Sequence, residues 1–139
     1  MKVILNKCFG GFHPSAEAYK LYAHKKGIEL YPYETGLQNY KRITWETAIK
    51  NGSLWVSYFT KDFGENPVIS DAEYVEYDLY MRDNKWREDP ILVEVVEELG
   101  KRASSPVSHL VVVEIPDGLD YVIDDYDGFE TLHERVEEW

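Results

Sequence analysis

The sequence has one cysteine and no long apolar segment. Because Cys8 is the single cysteine among 139 residues, no internal disulfide can form and no second thiolate is present for a structural zinc site. No stretch reaches the roughly 20 apolar residues of a membrane-spanning helix. The polar opening from Met1 to Lys7 does not resemble a signal peptide. These absences predict a cytoplasmic protein that does not associate with membranes.

Basic residues are also scarce. The chain has 15 lysines and arginines against 26 acidic residues, a net charge of −11, and residues 114–139 hold ten of the acids but one of the bases. Because nucleic-acid binding usually needs a basic face that releases counterions, direct binding of DNA or RNA is disfavoured. A locally basic pocket and plain surface charge are both open for a small set of residues: Lys7, Lys25, Lys26, Lys41 and Arg42.

Two segments have the start and stop signals of helices. Ser15 is suited to an N-cap and Gly27 to the position after the last turn, which predicts a helix over 16–26. A second helix begins after Asp89, with proline at its first position and an apolar stripe along one side, and ends at Gly100.

Short runs of β-branched and aromatic residues predict the strands. These runs cover residues 2–6, 28–33, 42–45, 54–59, 109–115 and 121–124, and the run 109–115 reads as a central buried strand. Residues 51–53 and 61–73 are predicted as a turn and a loop, while 74–86 fits either a helix or a strand. After a turn at Asp127-Gly128, a short acidic tail follows, for which a helix is one alternative. The prediction is one α/β (α+β) domain over residues 1–139, with a mixed β-sheet and two main helices packed on it.

The Gly10-Gly11 pair lies between a predicted strand and a helix N-terminus. Backbone N–H groups in that position can bind phosphate. The pair lacks the spacing of the dinucleotide fingerprint and of the Walker loop, so a tight structural turn is the alternative.

Other chemical signatures are weak. Cys8 could pair with His13, His109 or His133 as a nucleophile, but a cysteine just after a strand is more often a small core residue. The histidines have no metal-ligand spacing, and residues 124–130 fail the pattern of a calcium loop. We therefore expect no metal and no cofactor.

Three blocks of the chain resemble a family of small uncharacterised bacteriophage and prophage proteins. The first covers residues 5–12 and includes the distinctive Asn-Lys-Cys-Phe-Gly-Gly-Phe start at 6–12, and the second is 87–90 running into 95–100. The third joins residues 113–117 with the Tyr-Asp-Gly-Phe-Glu segment at 126–130. The final Trp139 also matches, but the basic run that precedes it in the family is replaced here by acidic residues. The resemblance implies an accessory protein made in the cytoplasm of an infected bacterial cell, where such proteins often counter host defence.

Three functions are open on this basis. The favoured one is non-enzymatic: binding and sequestration of a nucleotide-derived small molecule that serves as a host-defence signal. The alternative is an acidic inhibitor that engages a basic groove of a host protein. The third is a nucleotide hydrolase that would use Asp127, Glu130 and His133. Homo-oligomers are also possible, because aromatic side chains suit interfaces.

The predicted ligand site joins two irregular segments that follow strands. Ligands of α/β folds tend to bind where such segments meet at one end of a sheet. The candidate ligand-binding residues are Asn6, Lys7, Cys8, Gly10, Gly11, Phe12, Tyr126, Asp127, Gly128, Glu130 and His133.

Overall fold

The computed structural model describes residues 1–36, 39–51 and 55–136. Helices and strands alternate irregularly along this part of the chain, which confirms the α+β class. The elements are β1 (Lys2–Asn6), α1 (Ala16–Lys26), β2 (Tyr31–Thr35), β3 (Tyr40–Arg42), α2 (Trp45–Lys50), β4 (Val56–Phe59), α3 (Asp71–Tyr77), α4 (Pro90–Leu99), β5 (Leu110–Glu114), β6 (Tyr121–Tyr126) and β7 (Phe129–Glu134), with 3-10 turns at Asn84–Glu88 and Gly100–Ala103.

The strands of the described residues divide among three small sheets, and the strand pairs in them are antiparallel. β1 pairs with β5, β2 lies between β3 and β4, and β6 pairs with β7. The sequence predicted one mixed sheet with β5 at its centre, and the structure differs in both respects. The apolar run of β5 is explained by α4, which packs against it, and most of its residues are half-buried.

The main core lies between α1, α4 and the β1–β5 sheet. Tyr19 and Tyr22 of α1 and Leu92 and Val95 of α4 are buried, as their helical spacing predicts. On the solvent side of this helix pair, the Lys25 ammonium lies 2.8 Å from the carboxylates of both Glu94 and Glu98. The two predicted helices are confirmed with their caps: the Ser15 hydroxyl accepts from Ala18 N–H, and the Asp89 carboxylate accepts from two N–H groups of α4.

A second, smaller core consists mainly of aromatic side chains. Tyr33, Phe59 and Ile69 are buried between the β3–β2–β4 sheet and α3. Partly buried tyrosines and Phe63 surround them with edge-to-face ring contacts. This cluster accounts for much of the aromatic content between residues 31 and 86.

Several predicted boundaries are wrong for local reasons. The strand predicted at 42–45 ends at Arg42, because the Thr44 hydroxyl accepts from Thr47 N–H and starts α2. A capping box at Ser70 starts α3 inside the predicted loop 61–73. Residues Phe129–Glu134 of the predicted acidic tail form the strand β7.

Other segments are confirmed in part. β2 begins at Tyr31, three residues later than predicted, and β4 lies within the predicted strand 54–59. Residues 52–54, which include most of the predicted 51–53 turn, lie outside the described residues, as does the final Trp139. In the described part of the chain, no helix has the length and apolar character to cross a bilayer.

The half-buried carboxyl of Asp78, at the end of α3, generates a prediction about stability. Burial raises the pKa of Asp78 to about 6, although its carboxylate accepts from Tyr58 N–H. The folded-state pKa lies above the unfolded value near 3.8, so the folded protein binds this proton more tightly than the unfolded chain does. The contribution of Asp78 to stability is therefore fully present below pH 3.8 and is lost as the pH rises through about 6. We therefore expect Asp78→Asn to stabilise the protein at pH 8 by about 1 kcal/mol, after allowance for solvent screening.

Thermal unfolding of wild type and Asp78→Asn from pH 4 to pH 8 measures this effect. The control is Asp83→Asn at an exposed aspartate that makes no side-chain capping bond. An equal gain from Asp78→Asn at both ends of the pH range would contradict the assignment.

Candidate functional site

The structure brings the two predicted ligand segments together at the end of β1. The fully buried Asn6 side chain donates to the carbonyls of Cys8 (2.7 Å) and Gly128 (2.6 Å) and accepts from His109 N–H (2.8 Å). The Asn6 backbone N–H donates to Glu130 Oε1 at 2.7 Å. We call residues 6–12 and 126–130 the loop junction.

A buried ion pair fixes the loop junction from inside. Arg87 and Glu130 are 6% and 2% exposed, and Arg87 Nη1 and Nη2 donate to the two oxygens of Glu130 at 2.6 and 2.5 Å. Arg87 Nη1 also donates to the Ile4 carbonyl at 3.2 Å, and its guanidinium lies 4.6 Å from the centre of the Phe12 ring. Two parallel N–H···O bonds join the groups, so the attraction between the two charges offsets the cost of removing both from water.

This pair also satisfies the outer edge of β1. β5 pairs with one edge of β1, and the bond from Lys7 N–H to the His109 carbonyl extends this pairing by one residue on each side. On the opposite edge, the Ile4 carbonyl accepts from Arg87 and the Asn6 N–H donates to Glu130. The Arg87 and Glu130 side chains therefore bond to backbone groups of β1 that would otherwise be free to pair with a third strand.

The glycines of the loop junction allow close backbone contact. Asp127 and Gly128 both have positive φ, 50° and 92°, as a type I′ hairpin turn requires. A Cβ at Gly128 would lie 2.3 Å from the Gly11 nitrogen, and a Cβ at Gly10 would lie 1.8 Å from the Val107 carbonyl oxygen. The contact with Val107 thus accounts for Gly10, and the positive φ of 92° accounts for Gly11, in the pair that the sequence offered as a phosphate loop.

The solvent side of the loop junction is aromatic. Phe9 and Tyr126 are 66% and 74% exposed, and the Phe9 ring centre lies 5.5 Å from that of Phe129 and 6.3 Å from that of Tyr126. Lys7 Nζ lies 5.2 Å from the centre of the Phe129 ring and donates to the Glu130 carbonyl. We call Phe9, Tyr126 and Phe129 the aromatic patch.

The candidate catalytic groups do not converge. Glu130 points inward to Arg87, whereas the exposed His133 ring, three residues along β7, contacts Asp124 and Thr131 at 3.1 Å. Successive strand residues alternate between faces, so Glu130 and His133 lie on opposite faces of the hairpin. Asp127 lies in the turn.

Cys8 likewise has no histidine bonded to it among the residues that the structure describes. The nearby His13 ring is instead hydrogen-bonded to Arg82 and to the Pro14 carbonyl. Burial and then the charge of Arg82 lower the pKa of His13, so this ring is neutral at pH 7. Within the described ranges, no group of three His, Cys, Asp or Glu side chains could hold a metal ion.

A cleft of about 720 Å³ lies away from the loop junction, between α1 and the β2–β3 strands. Lys20, His24, Tyr31, Arg42 and Trp45 are among its lining residues, and we call it the α1–β3 cleft. The Arg42 guanidinium lies 4.6 Å from the Tyr31 ring centre, and its Nη1 donates to Asp62 Oδ1 at 2.6 Å. Arg42 is therefore held by a ring and a carboxylate.

Charge distinguishes this cleft from the other large one. Two glutamates balance Lys20 and Arg42 in the α1–β3 cleft. A second cleft of about 740 Å³ borders Glu130 and β6, and its four acidic residues outnumber its three basic ones. Two of those bases, Arg87 and Arg135, already pair with carboxylates, as Arg42 does with Asp62. Because the charges that line the α1–β3 cleft are balanced, whereas acids are in excess in the second cleft, the α1–β3 cleft repels an anion less.

Sequence reasoning missed this cleft almost entirely. Arg42 was among the candidates for a basic pocket, and Tyr31 and Trp45 belong to the aromatic-rich middle of the chain. What the sequence does not show is that α1 lies beside these residues, because that proximity depends on long-range packing.

The buried pair generates a double-mutant prediction. Arg87→Met leaves Glu130 buried without its counter-charge, which should lower the free energy of unfolding by about 3–5 kcal/mol. The double variant Arg87→Met/Glu130→Gln should lose less than the sum of its single variants, because no charge is then left unpaired. Urea denaturation measures both values.

The matched control is Arg135→Met, which breaks an exposed pair and should lower the free energy of unfolding by less than about 1 kcal/mol. Equal losses for Arg87→Met and Arg135→Met would disprove the role of burial.

The turn glycine generates a second prediction. Gly128→Ala combines a strained positive φ with a backbone clash, whereas Gly118→Ala at φ 77° adds a Cβ with no atom within 4 Å. We expect Gly118→Ala to cost about 1 kcal/mol and Gly128→Ala about 1–3 kcal/mol more. The same denaturation measurement compares the two, and similar losses would mean that the contact with Gly11 is not tight.

Comparison of the chain with protein-family models, with curated proteins and with solved structures found no match. The functional assignment therefore depends on the geometry of the chain's own residues.

Proposed function

We propose that this protein binds a nucleotide-derived small molecule without altering it chemically, and that the α1–β3 cleft holds the ligand. The observation that carries the proposal is the Arg42 guanidinium, held against the Tyr31 ring on the wall of a cleft of about 720 Å³. Small-molecule sites commonly have volumes of roughly 300–1,000 Å³ and combine apolar walls with a few oriented polar groups.

Arg42 and Lys20 supply the positive charge for a phosphate group. A guanidinium can donate two parallel hydrogen bonds to phosphate oxygens, and the contacts with Tyr31 and Asp62 restrict the side chain before the ligand arrives. Lys20 of α1 lines the same cleft and is exposed. We expect both cations to contact the anionic group of the ligand.

Aromatic and acidic side chains supply the remaining contacts. Trp45 lines the cleft and is supported from behind by Tyr58, whose ring is stacked on it at 5.6 Å. A supported indole is a suitable surface for a nucleobase. Glu29 and Glu65 can accept hydrogen bonds from ribose hydroxyls or base amino groups, which a plain inorganic anion lacks.

Two further points support binding over hydrolysis and suggest a biological role. Asp127, Glu130 and His133, the candidate acids and bases that lie close together in the sequence, face different directions around the hairpin. The resemblance to phage and prophage proteins favours an anti-defence role in the infected cell, in which the bound molecule is a host-defence signal removed by sequestration.

A ligand-recovery assay tests this function. The purified protein is mixed with a panel of cyclic oligonucleotides and cyclic ADP-ribose isomers, free ligand is filtered away, and the denatured protein is analysed for what it releases. We expect one class of compound to be depleted from solution and recovered intact. Recovery of a cleaved product would contradict a purely binding role, and depletion of nothing would overturn the proposal.

Paired variants on β3 test the site. Arg42→Gln should weaken binding about tenfold to a hundredfold, since a hydrogen bond to a charged group contributes about 1.5–3 kcal/mol. Lys41→Gln removes the same charge from the adjacent exposed residue, whose side chain points to the other face of the strand, and should leave binding unchanged. Equal weakening by both variants would show that general charge, not the cleft, attracts the ligand.

A further inference from the structure

The aromatic patch lies outside the α1–β3 cleft and needs its own explanation. Phe9 and Tyr126 are large side chains that are mostly exposed to solvent. The Phe9 ring lies against the rings of both Tyr126 and Phe129. Exposed aromatic rings that pack together are typical of surfaces where a few residues supply most of the binding energy.

The patch has a rigid base. Tyr126 and Phe129 flank the type I′ turn, and that turn is bound to Asn6 through the Gly128 carbonyl. Glu130, the residue after Phe129, forms the buried pair with Arg87. Because these contacts already fix the hairpin backbone that carries Tyr126 and Phe129, binding a partner would require little additional ordering of that backbone.

The negative charge around the aromatic patch favours a positively charged partner. Asp124, two residues before Tyr126 and therefore on the same face of β6, and Asp127 of the turn are both exposed. Asp125 accepts from Gly128 N–H and Asp124 contacts His133, whereas Asp127 has no hydrogen-bond partner within the described residues. The nearby Lys7 ammonium is directed at the Phe129 ring and the Glu130 carbonyl.

We infer that the aromatic patch is a docking surface for a basic surface of another protein. Arginine side chains of the partner would stack on Tyr126 and Phe9 and pair with the flanking aspartates, an arrangement that joins cation–π and ionic contacts. A second copy of this chain is disfavoured as the partner, because two patches with acidic borders on chains of net charge −11 would repel each other. This function is independent of the cleft.

Titration of the isotope-labelled full chain with a short peptide that alternates arginine and leucine tests the inference by NMR. We expect the amide shifts to change at Phe9 and at Tyr126–Phe129. The double variant Phe9→Ser/Tyr126→Ser, which leaves the net charge unchanged, should bind at least about tenfold more weakly. Val75→Ser on α3 removes an equally exposed apolar side chain and should bind like the wild type. A peptide with glutamate in place of arginine should not bind.

Each contrary result has a definite meaning. Absence of binding by the wild type, equal binding by the double variant, or shift changes centred on the α1–β3 cleft would overturn the inference. Equal binding of the glutamate peptide would remove the charge selectivity. Sedimentation of the free protein at increasing concentration adds one further check: self-association that the double variant abolishes would identify a second copy as the occupant and would also overturn it. Thermal unfolding verifies that both variants are folded.

Discussion

The ion pair between Arg87 and Glu130 joins three segments that are far apart in the sequence. It connects β1, the 3-10 turn before α4, and the β6–β7 hairpin, and both partners are almost completely buried. Breaking such a pair leaves a buried charge with neither water nor a counter-charge, which is unfavourable. The segments that carry the two residues are therefore held in the positions that keep the pair intact. The Asn6 N–H donates directly to this pair, and Glu130 anchors the hairpin that carries Gly128, Tyr126 and Phe129.

This dependence changes the meaning of the most distinctive sequence blocks. Asn6, Gly10, Gly128 and Glu130 were candidates for ligand contacts, yet each has a structural partner within the loop junction. These residues lie where the β6–β7 hairpin packs against the end of β1. The residues of the same blocks that face solvent, Phe9 among them, are the ones that remain available to another molecule.

The sequence predicted those features that depend on neighbouring residues. α1 and α4 were correct because caps, proline and glycine act within a few positions of the helix ends. β7 was missed because its half-exposed, acidic sequence has little strand character without β6 beside it. Arg87 was seen only as part of a sequence block, since nothing local indicates that its partner lies at Glu130.

The way the outer edge of β1 is covered affects how the protein can open. The amide hydrogen of Asn6 is donated to a carboxylate on the hairpin, whereas its neighbour Lys7 donates to the backbone of the loop just before β5. Two adjacent amides therefore report on different events. Undocking of the hairpin alone would release the first to exchange with solvent while the second stays protected, so this short segment records whether the domain loosens in parts or only as a whole.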